Sequence, residues 1–137
     1  MYLLFYAACG GTRLPTATLT VDGHPVRAEL ATTYATRQQG LMHREALDPD
    51  AGMLFVYRDE SVRRFWMKDT RIPLSIAFLN RRGEVVRIED MSPFDTNSIT
   101  SLVPATYALE MRQGWFAEKN VGKGAKVTGI PLDLVVE

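Results

Sequence analysis

Two short apolar runs constrain the fold of this chain more than any other feature of its sequence. They are residues 52–57 (GMLFVY) and residues 65–70 (FWMKDT). Each run is shorter than an ordinary amphipathic helix, and bulky side chains fall on both alternating faces of the first. That pattern is typical of a central strand covered on both sides. The runs therefore predict a compact, β-rich domain with aromatic and methionine side chains at its centre.

Further strand patterns recur about every 8 to 12 residues, as they do in sandwiches and barrels. Asp22-Gly23 is a strong turn pair, so residues 17–31 are predicted to form a hairpin. The other predicted strands are residues 65–69, 74–79, 84–90, 107–111 and a last one near 125–130, with a loop over 92–104 and a turn or one-turn helix over 114–120. In the strand 84–90, Val86 and Ile88 are expected to share one face.

One short α-helix is predicted near residues 34–39. Thr32 and Thr33 precede it and can cap its first turn, while Gly40 can adopt the positive φ that often ends a helix. The predicted fold class is therefore mainly β: a single-domain β-sandwich or half-barrel with one short helix.

The chain is long enough for one domain with a real core, since a domain of about 150 residues buries roughly 70% of its unfolded surface. We assign residues 17–137 to that domain, and residues 1–16 to an apolar N-terminus and linker. Its 16 basic and 16 acidic residues balance to a net charge of zero. Balanced charge argues against a nucleic-acid partner, which requires a basic face.

The N-terminal residues resemble the end of a bacterial lipoprotein signal. An apolar stretch leads to Ala7-Ala8-Cys9, and Cys9 would be the lipidated residue. No positive charge precedes the stretch, and Tyr6 stands where such signals usually have leucine. One interpretation is a periplasmic or envelope protein with a membrane tether through Cys9. The alternative is an apolar N-terminus without a targeting role, which leaves a cytoplasmic location open.

Four motifs occur in an order that resembles one known family. They are residues 40–44 (GLMHR), 52–55 (GMLF), 65–70 (FWMKDT) and 109–110 (LE). With Pro73-Leu74 between them, they resemble the uncharacterised prokaryotic "domain of unknown function one-nine-two". The resemblance implies a sandwich-like or half-barrel fold and, in many members, an export or lipoprotein signal; it implies no activity. Ser75 stands where the family usually has aspartate, and Thr36 where it usually has glutamate.

A binding cleft is predicted around Trp66, Lys68 and Glu110. Trp66 and Lys68 are two residues apart, so they would share one face of the predicted strand 65–69. An ammonium beside an indole can bind an anion while the ring stacks on a flat ligand. The occupant would be a small molecule or an envelope protein partner. The alternative is an ion pair of Lys68 with Glu110 or Asp69, with Trp66 as ordinary core.

Arg37 and Arg44 flank Gly40 and are further candidates for the cleft. Their guanidinium groups could converge with Lys68 on an anion, with Arg44 at the rim. The alternative is that they tie helix carbonyls and loops together.

The sequence predicts no catalytic residue, cofactor or metal site. It contains no Gly-x-Ser-x-Gly and no glycine-rich phosphate loop. Two other functional classes stay open: a hydrolase with a carboxylate pair drawn from Asp90, Asp95 and Glu110, or a passive scaffold. Methionine can ligate Cu(I), but the spacing favours core packing for Met42, Met53, Met67, Met91 and Met111.

Overall fold

The computed structural model describes residues 14–137, so Cys9 lies outside the described residues. Strands dominate this part of the chain, which confirms the mainly β class. The elements are, in order, β1 (Thr16–Val21), β2 (His24–Ala31), α1 (Tyr34–Gln39), β3 (Ala51–Phe65), β4 (Leu74–Leu79), β5 (Val85–Met91), β6 (Ile99–Arg112), α2 (Trp115–Glu118) and β7 (Val127–Thr128).

The strands form one curled sheet, in the order β5-β4-β6-β3-β2-β1-β7. Neighbouring strands are antiparallel except β2 and β3, which α1 and the loop after it connect in parallel. The two ends of the sheet meet: the Val85 N–H donates to the Ala125 carbonyl at 2.9 Å, and the Val127 N–H donates to the Gly83 carbonyl at 2.8 Å. These bonds curl the sheet into the predicted half-barrel.

Both faces of the sheet bury apolar side chains. The inner cluster lies inside the curl and includes Leu54, Val56 and Trp115. The outer cluster lies on the other face and includes Met53 and Phe55. Consecutive residues of β3 therefore enter opposite cores, as the apolar run predicted. Burying both faces is also why this run carries no polar alternation.

The predicted helix and its caps are confirmed. The Thr36 N–H donates to the Thr33 hydroxyl, and the Thr33 N–H donates to the Thr36 hydroxyl, both at 3.1 Å. This reciprocal arrangement is a capping box. Thr36 thus supplies the bond that glutamate commonly makes at this position. Gly40 follows the helix with a φ of 48°.

The predicted strand over 65–69 is wrong, because β3 ends at Phe65 and the chain turns. Asp69 has a φ of 52°, a conformation that aspartate tolerates better than most residues. The Met67 N–H donates outside the sheet, to the Asp95 carbonyl at 2.7 Å. The predicted loop over 92–104 is also too long, since β6 already begins at Ile99. The long, bulged antiparallel pairing of β3 with β6 was not predicted, because polar residues interrupt the apolar pattern in the C-terminal half of β3 and the N-terminal half of β6.

Three smaller differences concern β5, β7 and the helices. A bulge in the pairing of β4 with β5 places Val86 against the outer cluster and Ile88 against the inner one, so they do not share a face. The last strand covers only Val127–Thr128. A second short helix, α2, occupies the predicted turn or one-turn helix over 114–120, so the described residues contain two helices.

Candidate functional site

A cavity of about 180 Å³ opens on the outer face of the sheet, between α1, β3 and the turn after β3. Its wall mixes aromatic and apolar side chains with polar ones, and side chains from the outer cluster lie behind it. The polar residues of the wall are Arg37, Gln38, Gln39, Arg64, Thr70 and Glu110. Its aromatic and apolar residues include Tyr34, Phe55, Tyr57, Phe65, Trp66 and Met67. We call this space the outer cavity.

Among residues 14–137, Glu110 is the one carboxylate that lines the outer cavity. It lies in the middle of the sheet, with Met53 beside it on β3 and Ile76 on β4. Only 4% of the residue is exposed. Among residues 14–137 no hydrogen bond or ion pair reaches its carboxyl group. Burial raises the pKa of Glu110 to about 8, because the charged form has lost its hydration. The carboxyl is therefore mostly protonated at neutral pH.

Arg37 lines the outer cavity, but its guanidinium group is committed to the protein. It donates to the carbonyl oxygens of Thr32 at 2.9 Å, Val56 at 3.1 Å and Glu137 at 2.7 Å. These bonds tie α1 to β3 and to a distant part of the chain. The geometry matches the second interpretation of Arg37, that of a tie between helix, strand and loops.

Tyr57 is held between two guanidinium groups, a feature that sequence analysis missed. The Arg63 group lies 3.8 Å from the ring centroid and the Arg37 group 4.9 Å. Burial raises the pKa of Tyr57, and the two arginine charges partly offset this effect. A break in regular pairing between Val56 and Ser61 brings Arg63 back over the ring. Periodicity in the sequence gives no signal of such a bulge.

Trp66 and Lys68 are neighbours, but only Trp66 belongs to the cavity. Trp66 is 44% exposed at the cavity wall. The Lys68 ammonium lies 5.3 Å from the indole centroid, brought there by the turn and not by a strand. Lys68 is exposed and does not line the cavity. Within the described part of the chain it forms an ion pair with neither Glu110 nor Asp69.

Arg44 lies outside the outer cavity. Its guanidinium group forms a two-pronged salt bridge with Glu29, at 2.5 and 2.9 Å. Both residues line a separate groove beside α1. The structure thus brings Glu110, Arg37 and Trp66 together and places Lys68 and Arg44 elsewhere.

The structure separates Asp90 from Glu110, two of the carboxylates considered for a hydrolase. Asp90 pairs with Ser75, whose neighbour on β6 is Met111 of the inner cluster, so Asp90 and Glu110 lie on opposite faces. Ser75 replaces the aspartate that the family resemblance implies: its hydroxyl donates to Asp90 at 2.6 Å and accepts from the Gly114 N–H at 3.0 Å. Its role here is to hold the start of α2.

Residues 14–137 give no structural support for a metal site or a membrane-spanning helix. No group of three or more His, Cys, Asp or Glu side chains in that range is arranged to hold a metal ion. Met53, Met67 and Met91 pack in the outer cluster, whereas Met111 packs in the inner one. No helix of the described residues is both long and apolar enough to cross a membrane.

Fold and site together define a class of protein: a β half-barrel domain with a small aromatic cavity on the outer face of its sheet and a buried carboxyl in it. The chain belongs to the DUF192 family, described as "Uncharacterized ACR", whose family model matches residues 17–129. This match confirms the family to which the four motifs pointed.

Solved structures share the fold over nearly the whole chain. A proposed transcription regulator from Sinorhizobium meliloti 1021 is 31% identical with a TM-score of 0.84, over 88% of this chain and 98% of that chain. A protein of unknown function from Novosphingobium aromaticivorans DSM 12444 is also 31% identical with a TM-score of 0.81, over 93% and 98% of the two chains. No curated protein matches this chain.

Proposed function

We propose that this protein binds a small molecule in the outer cavity. One observation carries the proposal: Glu110 is buried at the cavity with no partner among the described residues. A buried polar group without a hydrogen bond destabilises a fold by about 1–3 kcal/mol. The Glu110 carboxyl lines an open cavity, so a ligand in that space can complete its bonding.

The volume of the cavity limits the ligand. A space of about 180 Å³ holds about six water molecules at their volume in the liquid. It is smaller than the usual site for a drug-sized ligand. We therefore expect a compact ligand, or the end group of a larger one that extends past Trp66 into solvent.

Trp66 allows binding to be observed directly. A set of small fragments is screened by thermal shift and by tryptophan fluorescence. A ligand in the outer cavity is expected to raise the melting temperature and to change the emission of half-exposed Trp66, while Trp115, fully buried in the inner cluster, stays unchanged. Trp66→Phe assigns the signal to one indole.

Two variants separate this cavity from the cleft predicted by sequence. Phe65→Ala opens the wall of the outer cavity and is expected to weaken fragment binding about tenfold or more, through lost apolar contact. Lys68→Ala, three residues away but outside the cavity, is expected to leave binding within about twofold. Fragments that bind wild type and Phe65→Ala equally would refute the outer cavity as the site.

Other functional classes receive less support. The scaffold class predicts a fully buried Trp66, but this ring is 44% exposed beside the cavity. The relative from Sinorhizobium meliloti is described as a proposed transcription regulator. We do not extend DNA binding to this chain, because its 16 basic and 16 acidic residues provide no net positive charge for phosphate contacts.

We also propose that the protein is held at the cell envelope through lipidated Cys9. The support is the sequence Ala7-Ala8-Cys9 after an apolar stretch and the export signals typical of the family it belongs to. In bacteria that express the chain, the wild-type protein is expected to incorporate a labelled fatty acid and to sediment with membranes. Cys9→Ser is expected to abolish both. Unlabelled, fully soluble wild type would refute the tether.

A further inference from the structure

We propose that the ligand of the outer cavity carries an ammonium group on a short apolar body, and that this ammonium binds the carboxylate of Glu110. This inference deepens the proposed function and rests on it. It assigns a chemical class of ligand: a small organic amine in its charged form.

The state of Glu110 favours a cation over other ligands. The carboxyl is 4% exposed, and no cation or hydrogen-bond donor of residues 14–137 contacts it. A neutral ligand can share a hydrogen bond with the protonated carboxyl, whereas a cation can also compensate the negative charge of its ionised form. An ammonium supplies both the opposite charge and up to three donors, and charge-assisted bonds of this type are about twice as strong as neutral ones.

The walls of the cavity suit the rest of such a ligand. Phe65 and Phe55 meet edge to face with centroids 4.9 Å apart, and half-exposed Trp66 adds a further ring. The Tyr57 ring also lines the cavity, but the Arg63 and Arg37 groups already lie against it. Aromatic faces attract organic cations, and the same rings provide apolar contact for a short hydrocarbon body.

The nearby arginines of the described residues do not form an ion pair with Glu110. The Arg37 charge is bound to three carbonyl oxygens, and burial is the cause of the raised Glu110 pKa. Arg64 lines the cavity from an exposed position on β3. It stands where it can meet a polar group at the outer end of a ligand.

Three probes of the same shape test the charge requirement: benzylammonium, benzyl alcohol and benzoate. Binding is measured by titration calorimetry at pH 8 on wild type, Glu110→Gln and the control Glu45→Gln. Glu45 is 86% exposed at its side chain and lies outside the outer cavity. We expect wild type and Glu45→Gln to bind benzylammonium about tenfold or more tighter than benzyl alcohol, and Glu110→Gln to lose that difference while still binding the alcohol.

The pH dependence gives a second measurement. Glu110 is mostly protonated below pH 8, and a cation binds its ionised form. Affinity of wild type for benzylammonium is therefore expected to rise about fifty-fold between pH 6 and pH 8, following the ionised fraction of a carboxyl with a pKa of about 8. The other titratable groups lining the cavity are Tyr34, Arg37, Tyr57 and Arg64. Glu110→Gln retains all four, so a flat profile in this variant assigns the change to Glu110.

The outcomes separate this inference from the proposed function. Equal or tighter binding of benzyl alcohol or benzoate by wild type would overturn the ammonium assignment and leave a ligand-binding cavity in place. Failure of all three probes would also overturn it, while the fragment screen with Phe65→Ala still decides whether the cavity binds anything. Circular dichroism of Glu110→Gln confirms that this variant is folded.

Discussion

The wild type is expected to become less stable as pH rises from about 5 to about 8, and Glu110→Gln is expected not to show this loss. The folded-state pKa of this carboxyl, about 8, lies above its ordinary value of 4.5. The contribution of the neutral Glu110 carboxyl to the free energy of unfolding is then fully present below pH 4.5, and it is lost as pH rises through 8. At about 1.4 kcal/mol per unit, the change in unfolding free energy is on the order of 4 kcal/mol.

Urea unfolding at several pH values measures this effect. Near pH 5 both side chains are neutral and similar in size, so wild type and Glu110→Gln are expected to be about equally stable. Near pH 8 the variant is expected to be the more stable protein. The exposed control Glu45→Gln is expected to follow the wild type throughout. Parallel curves for wild type and Glu110→Gln would mean that Glu110 ionises normally and is hydrated in its cavity.

The two tryptophans are expected to differ sharply in their contributions to stability. Trp115 is fully buried in the inner cluster, and its indole N–H donates to Asp50 at 3.0 Å. Trp115→Ala is expected to lower the free energy of unfolding by about 3–5 kcal/mol, through lost burial and the cavity left behind. Trp66→Ala, at a half-exposed position, is expected to change it by about 1 kcal/mol or less.

Chemical denaturation followed by circular dichroism compares the two variants, because neither retains both indole signals. Phe116 meets the Trp115 ring edge to face at 5.2 Å, so the truncated site cannot easily be refilled by a neighbour. Equal losses in Trp115→Ala and Trp66→Ala would contradict the assignment of Trp115 to the core and of Trp66 to the cavity wall.

Local features of the fold were accessible from the sequence because they depend on a few adjacent residues. Asp22-Gly23 forms the predicted turn, with Val21 opposite His24. Thr33 and Gly40 bound the predicted helix. The unbroken apolar run in β3 correctly indicated a strand buried on both faces. The strand predicted over 65–69 failed because the same residue types can pack from a turn, as Met67 does.

The candidate site was only partly accessible, since it depends on pairing between distant strands. Glu110 and Trp66, both predicted for one cleft, line the same cavity. Lys68 does not line this cavity, because the chain turns where a strand was predicted. Arg63 and Tyr57 were missed, since a bulge in β3 brings them together.

The sequence by itself determined the family, the mainly β class, and the short-range turns and caps, because alternation and turn chemistry act over a few residues. Only the tertiary structure decided that Glu110 is a lone carboxyl beside a cavity. Its neighbours Met53 and Ile76 come from two other strands, and the register of those strands places apolar side chains where an ion-pair partner would otherwise stand.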